Sequence, residues 1–503
     1  MKTFGLLTLS SIVVFAAAAA VRAKDANSDS VVKVHVTQRL PDFGRPWTKA
    51  DPRKNAASGV VIKGRRILTG AHVIQYASQI FVQSDQSTEK IPARLVAMAP
   101  GMDLAVITVD DESFFEARPA LPLAARIPSI RDEVTCYGYP IGGEQLSVTK
   151  GIISRIEYAG FFFETLGVRI QVDAALNPGN SGGPAVADGQ IVGLVYSVLQ
   201  RAENIGYLVA AGEIALFLAD VEDGTYDGKP QMFDELQTVE HEALRARLGL
   251  KDGVGGVMVN RPDRDEDSYP LKPWDVITHI ADRPIDSQGN VRIKDDLRLG
   301  FPCFISRSTR NGKVPLTIFR QGESIDVEVP VRWSPNRLMP YLMGEYPSHF
   351  ILGPMVFTGA TADLAARVNM LPGQFFGVSR SPLLSRQFDR PAFEGEQLVV
   401  LGPRLFPHRT SKGYGGASFG VVKQVNDVKV KNLPHLVELL RDATGEFLTL
   451  KLAGKYETLV FRRQEVLDST EEILENEGIR KQYSDDLAEV WNGGDTRRRL
   501  PKD

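Results

Sequence analysis

Ser181 stands in Asn177-Pro178-Gly179-Asn180-Ser181-Gly182-Gly183-Pro184, one hydroxyl among three glycines and two prolines, with apolar flanks. A packed helix or strand would not choose this composition. Gly182 and Gly183 allow backbone angles that a side chain forbids, and Pro178 and Pro184 fix the approach and the exit. Such a turn can hold Ser181 exposed on a rigid base. With Asn180 shaping it, it can also aim the backbone N–H groups of Gly179 and Ser181 at one point beside the hydroxyl. Acyl transfer needs that pair: a nucleophile, and donors for the oxyanion formed when it attacks. A Gly-rich loop with an incidental serine would explain a bare Ser-Gly-Gly. The whole octapeptide favours the nucleophile.

A serine nucleophile needs a base. Histidines occur at 35, 72, 241, 279, 349, 408 and 435. His72 lies in Ile67-Leu68-Thr69-Gly70-Ala71-His72-Val73, where an apolar strand ends in small residues, so its ring can project from a strand end into a cleft. A third group should orient the imidazole. Asp103 in Gly101-Met102-Asp103-Leu104-Ala105-Val106-Ile107 is one carboxylate at the mouth of an apolar run, as a buried orienting aspartate would be. Asp110 and Asp111 sit in a more solvated setting. The competing readings are a half-buried structural histidine and a turn aspartate before a strand.

The elements that must position these residues are short strands. One set is predicted at 31–36, 58–62, 66–69, 79–84, 91–99 and 104–109, with a Pro- and charge-containing loop over 41–55. A second set falls at 133–138, 146–156, 169–173, 185–186, 191–197 and 206–210, followed by a helix over 213–221. Gly and Pro punctuate both sets and no long helical period appears. Short strands at regular spacing imply an all-β barrel or sandwich.

The chain order His72, Asp103, Ser181 is that of the chymotrypsin-like triad. Thr69-Gly70-Ala71-His72-Val73, Asp103-Leu104-Ala105-Val106 and Asp173-Ala174-Ala175-Leu176 leading into the octapeptide together closely resemble the HtrA (Deg) serine proteases. The resemblance implies a mainly β fold, a chymotrypsin-like double β-barrel with the triad in the cleft between barrels. It also implies peptide hydrolysis through an acyl-enzyme, polypeptide substrates, and trimers or multiples of trimers. At the position where trypsin-like enzymes carry an aspartate that pairs with a freshly cut N-terminus, this chain has Asn180. Control by loop ordering or assembly is therefore expected, with residues 147–151 and 157–167 as candidate loops by position. Ala175, six before the serine, corresponds to the base of the primary specificity pocket. An alanine there offers no charge for Lys or Arg and favours aliphatic side chains. The rival readings are a chaperone or scaffold with little proteolysis, and a hydrolase acting on a non-peptide ester.

Beyond an acidic, Gly-containing linker at 221–228 the texture changes. Residues 229–332 resemble a PDZ domain, chiefly through Leu271-Lys272-Pro273-Trp274-Asp275-Val276-Ile277. Its carboxylate-binding loop would be Gln231-Met232-Phe233-Asp234-Glu235-Leu236, which lacks glycine and carries two carboxylates. Weak or no binding of free C-termini is expected there, and instead a role in assembly or in holding internal segments through apolar contacts. Residues 346–466 resemble a second, divergent PDZ-like α+β domain, and the Pro347-Ser348-His349-Phe350 stretch resembles Deg proteases of plant organelles. A helical pattern over 467–491 and a charged tail close the chain, giving an extension over 467–503.

At 503 residues, length alone suggests about three domains. The net charge of −3 gives no basic field for nucleic acid. Cys136 and Cys303 are too few for a disulfide framework and are expected unpaired. No His/Cys/Asp/Glu cluster has ligand spacing, so no metal or cofactor is implied. Residues 1–23 read as a secretory signal peptide: Lys2, an apolar run, then Val21-Arg22-Ala23. No later stretch approaches the ~20 apolar residues of a membrane span. The expected mature protein is exported, periplasmic in a bacterium-like cell.

Overall fold

The computed structural model describes residues 26–161, 165–198, 205–369, 381–415, 417–454 and 457–493. The signal-like segment and the charged tail lie outside these residues. The first strand set closes into a six-stranded antiparallel barrel: β1 (Val31–Gln38), β2 (Arg53–Ile62), β3 (Arg66–Thr69), β4 (Ala77–Ser84), β5 (Ile91–Ala99) and β6 (Leu104–Val109), in the order β1-β2-β3-β6-β5-β4. The second set closes likewise: β7 (Glu133–Gly138), β8 (Ser147–Gly160), β9 (Leu166–Val172), β10 (Pro184–Ala187), β11 (Gln190–Val198) and β12 (Gly206–Ala210). Every residue of β6 is buried. A barrel strand of this kind reads as a continuous apolar run, which is why Leu104-Ala105-Val106-Ile107 lacks alternation.

Two differences from the sequence reading have a common cause. β2 begins at Arg53, inside the loop expected over 41–55, because Arg53, Lys54 and Asn55 pair with Gln38, Thr37 and Val36. β8 continues to Gly160 opposite Leu166. The start of β2 is polar and exposed, held by ladder hydrogen bonds rather than by burial, and the end of β8 is half-buried without apolar alternation, so hydrophobic patterning misses both. Residues 147–151, expected as a candidate control loop, are strand: they pair with β7 from Gly138↔Ser147 to Val134↔Gly151.

The next unit carries an antiparallel sheet of Glu235–Thr238, Val257–Arg261, Val276–Ile280, Lys313–Arg320 and Glu323–Pro330, with helices at Glu242–Leu248 and Ile305–Ser308. It shares one hydrophobic core with the second barrel. Ile153, Val168 and Val195 from the barrel join Phe301, Phe304 and Ile305 in a continuous cluster, with Tyr158 packed against it. Cys136 and Cys303 both lie in that core and are unpaired, each thiol pushed up to about 12 by burial. Of the two acids in the loop at 231–236, Asp234 turns inward and Glu235 stays exposed beside Arg261. The Asp234 carboxylate accepts from Asp263 N–H (2.9 Å) and the Tyr269 hydroxyl (3.1 Å). The Phe233 carbonyl accepts from Arg390 at 3.0 Å. This loop presents a carbonyl to a cation where a carboxylate-binding loop would present donors.

The last unit is a sheet of His349–Leu352, Met355–Gly359, Val399–Leu401, Val421–Val425, Phe447–Ala453 and Thr458–Arg462, covered by helix Leu433–Arg441. The helical pattern expected over 467–491 is interrupted. Helix Arg463–Asn476 ends, Gly478 takes φ +65°, and the chain returns to the sheet through Phe350↔Tyr483 before a short helix, Ala488–Asn492. Leu487, Val490 and Trp491 then close the same core as Phe350 and Leu436. Tyr346 ties this unit to the first barrel, its hydroxyl donating to the Arg39 carbonyl (2.6 Å) and its ring lying 5.4 Å from that of Tyr76. No helix among the described residues is long and apolar enough to cross a membrane.

One buried ion pair fastens the β8–β9 hairpin to the segment after the barrels. Lys229 Nζ lies 2.7 Å from Glu213 Oε2, their side chains 3% and 1% exposed. Lys229 also donates to the Leu166 carbonyl (2.8 Å), and Glu213 accepts from Val168 N–H (3.0 Å). Removing one partner strands a buried charge, at a cost of about 3–5 kcal/mol. Lys229→Met should therefore lower the unfolding free energy by that amount in denaturant titration. Lys229→Met combined with Glu213→Gln, which keeps an acceptor for Val168, should recover most of it. A single variant within about 0.5 kcal/mol of wild type would show that the pair is not stabilising the hairpin.

Candidate active site

Asp103 follows a single helical turn, Pro100–Met102, and takes a left-handed conformation with φ +55°. Aspartate tolerates that region better than most residues. The turn drives its side chain into the barrel, where it is fully buried. Both carboxylate oxygens face His72. The His72 N–H donates to Oδ1 at 2.8 Å, and Nδ1 lies 2.9 Å from Oδ1 and 2.8 Å from Oδ2. A carboxylate only accepts, so the imidazole proton sits on Nδ1 and Nε2 is left as the base. Burial pulls the His72 pKa down, the Asp103 charge and hydrogen bond outweigh it, and the net shift is upward. The His72 side chain remains 39% exposed, so its free edge is open to the cleft.

The His72 helix, Ala71–Ile74, is a single turn with several carbonyls near its end to satisfy. Gln38 of β1 supplies the donors. Its buried Nε2 donates to the carbonyls of His72 (2.9 Å), Val73 (3.2 Å) and Gln75 (2.9 Å), while its Oε1 accepts from Asn55 (2.7 Å). Sequence reasoning missed Gln38, since a lone glutamine at a strand end carries no motif.

The turn carrying Ser181 is drawn tight by Asn180 N–H to the Asn177 carbonyl (3.0 Å) and Gly183 N–H to the Asn180 carbonyl (2.9 Å). It is laced to β11 by Gly182 N–H to the Val195 carbonyl at 2.7 Å. Gly179 has φ +103°, and a Cβ there would stand 2.5 Å from the Tyr139 carbonyl oxygen. Gly182 has φ +81°, and its Cβ would stand 2.2 Å from the Ser58 carbonyl oxygen and 3.1 Å from Gly70 N. That close approach brings the serine turn against the strand end that leads into His72.

Ile141 N–H donates to the Pro178 carbonyl at 2.8 Å. Carbonyl and N–H point opposite ways across a trans peptide, so this bond turns the Gly179 N–H away from Ile141. Among the described residues neither the Gly179 N–H nor the Ser181 N–H has an acceptor, and no hydrogen bond joins Ser181 to His72. Nucleophile–base bonds are often long without substrate. Asn180 is 4% exposed and its Oδ1 has no partner among the described residues. Ala175 is exposed at the start of the turn. Next to it, Leu176 packs where a Cβ on Gly206 would stand, 2.3 Å from its Cδ1. The loop after β11 lies outside the described residues.

His72, Asp103, Gly179, Asn180 and Ser181 thus converge where the two barrels meet, and Ala175 lies on the same turn. Comparison with known proteins agrees with this architecture. A trypsin-like peptidase domain matches residues 57–194, and a PDZ domain matches residues 339–486. The chain is 31% identical to Protease Do-like 2, chloroplastic, of Arabidopsis thaliana over 478 residues, 92% of this chain and 76% of that protein. It is 32% identical to Protease Do-like 4, mitochondrial, of the same plant over 454 residues, 89% of this chain and 83% of that one. Among solved structures, the HtrA-type protease AlgW with tripeptide is 24% identical, with a TM-score of 0.49 over 62% of this chain and 95% of its own. With relatives matching from the first barrel to the last sheet, the chain belongs to the Do-like (HtrA/Deg) family of serine endopeptidases.

Proposed function

We propose that Ser181, His72 and Asp103 are the catalytic triad of this endopeptidase, and that the Gly179 and Ser181 N–H groups form its oxyanion hole. The observation that carries the assignment is the fully buried Asp103 carboxylate, bonded at 2.8 Å to Nδ1 of a histidine whose other edge is open. Ser181 Oγ attacks the scissile carbonyl carbon while His72 Nε2 takes its proton. The C–N bond breaks, and Nε2 returns the proton to the leaving amine. Water then attacks the acyl-enzyme, giving a proton to Nε2; the ester C–O bond breaks, Nε2 passes that proton to the departing Ser181 Oγ, and the carboxylic product leaves a free serine and a neutral imidazole. Asp103 holds the imidazole tautomer and stabilises the imidazolium. The two unpaired N–H groups stabilise the negative oxygen.

The substrates proposed are unfolded or damaged polypeptides of an exported compartment, the periplasm in a bacterium-like cell. The signal-like residues 1–23 support this, and the organellar names of the plant relatives support delivery across a membrane. Trimers or their multiples are proposed for the assembly. The first PDZ-like unit serves that assembly rather than capture of C-termini, which its inward-facing Asp234 supports. Ala175 and its apolar neighbour Leu176 favour aliphatic side chains before the cut.

Ser181→Ala should abolish casein digestion, by roughly 10⁶-fold in kcat, with an unchanged melting temperature. Wild-type product termini mapped by mass spectrometry should follow aliphatic residues. A folded Ser181→Ala protein that still cuts casein would overturn the nucleophile, and cuts mainly after Lys or Arg would overturn the pocket.

The pH profile tests the base. His72 must be neutral to accept a proton, so kcat/KM should rise with pH through its pKa. Asp103 places that limb above the ordinary histidine value of about 6.5. Asp103→Asn removes the charge and leaves burial, so the limb should move to lower pH while kcat drops by about 10⁴-fold. A limb that does not move would show that the titrating group is not His72.

A further inference from the structure

Ser58 of β2 is a fully buried polar residue of the first barrel that takes no part in the chemistry proposed above. Among the described residues its hydrogen bonds lead to the edge of the site. Its N–H donates to the Ser181 carbonyl at 2.9 Å. Its hydroxyl donates to the Gly179 carbonyl at 2.8 Å and accepts from the Tyr139 N–H at 2.8 Å. Its own carbonyl accepts from Thr69 Oγ1 at 2.7 Å. A hydroxyl has one proton, and the Tyr139 N–H can only donate, so the Ser58 proton is committed to Gly179. The direction of the network is therefore fixed without reference to any observed hydrogen.

We propose that Ser58 is the positioning residue of the oxyanion hole. The two N–H groups assigned to the oxyanion belong to Gly179 and Ser181, and Ser58 holds the carbonyls of both. Gly179 needs the restraint most. With φ +103° and no side chain, it is the softest link in the turn. Its preceding peptide is fixed by Ile141 N–H on the Pro178 carbonyl, and the peptide after it by the Ser58 hydroxyl. Tyr139 lies two residues before Ile141, so one hydroxyl ties the turn and the segment that supports it to the first barrel. Space agrees with so small a side chain: a Cβ on Gly138 would stand 2.9 Å from Ser58 Oγ. Alanine here would leave the Gly179 carbonyl and Tyr139 N–H buried without partners. The turn would relax at the place where donors must stand about 2.7–3.1 Å from the oxyanion.

This inference rests on Ser181 as the nucleophile, and its test separates the two claims. Full-length wild type, Ser58→Ala and Ser181→Ala are compared on a fluorogenic peptide, with active sites counted by burst titration. Binding of a peptide aldehyde, which forms a tetrahedral oxyanion on the serine, is measured alongside binding of the matching carboxylate product. Ser58→Ala should lose about 10- to 100-fold in kcat per titrated site, with KM within about threefold. Its aldehyde affinity should fall by a similar factor and its product affinity should not. A role in folding alone would lower the number of titrated sites and leave each site's kcat and aldehyde affinity intact, which would overturn the proposal. If Ser58→Ala does not fold, Ser58→Cys, a weaker donor of similar shape, takes its place. It should show the same pattern at smaller size, and unchanged aldehyde affinity per site would again overturn the proposal. Should wild type form no adduct with the aldehyde, or Ser181→Ala form the same one, the nucleophile assignment fails instead.

Discussion

The Asp103 carboxylate is removed from water, and among the described residues its hydrogen bonds go only to His72. A buried carboxylate without partners is costly, so the fold is committed to bringing the two residues together. That commitment sets the rest of the first barrel. β6 must be buried along its length to carry Asp103 inward, and the turn before it must accept a left-handed aspartate. The single-turn His72 helix must end where Gln38 can satisfy its carbonyls. The electrostatic outcome is an imidazole whose pKa is raised despite burial, with one nitrogen committed and one free.

The second barrel has a different problem, to present a serine beside two N–H donors that have no acceptor among the described residues. Glycine solves it at a cost in rigidity, and the stiffness returns through hydrogen bonds from outside the turn. Val195 and Ile141 hold it from its own barrel, Ser58 from the other. The site is thus a property of the contact between barrels, and neither barrel alone contains it. The second barrel and the sheet unit that follows it share one core, and the Lys229–Glu213 pair adds a buried tie at the β8–β9 hairpin. Together they join the second barrel to its C-terminal neighbour through buried contacts.

Much of this was legible in the sequence because the chemistry is local there. The octapeptide, the apolar run after Asp103 and the small residues around His72 each advertise a backbone constraint, and short apolar runs between Gly and Pro mark the strand sets. The hidden part was non-local. Gln38 and Ser58 sit in strands as ordinary polar residues, and their roles arise from partners 34 and 121 positions away. The polar start of β2 is strand because a ladder partner lies opposite, and the end of β8 because it pairs with β9 and sets Tyr158 on the core. Asp234 reads as a misplaced charge in sequence, and only the fold shows it turned onto Asp263 and Tyr269. The break in the C-terminal helix comes from residues 477–487, which return to the sheet through Tyr483.

Catalysis at this site requires Ser181 to be a nucleophile activated by a base across the barrel interface. Incubating the full-length protein with a fluorophosphonate and mapping the adduct by peptide mass spectrometry addresses this directly. The expected result is a single adduct on Ser181, formed at a rate that collapses in His72→Ala. An adduct on another residue, or labelling of Ser181 at the same rate without His72, would contradict it.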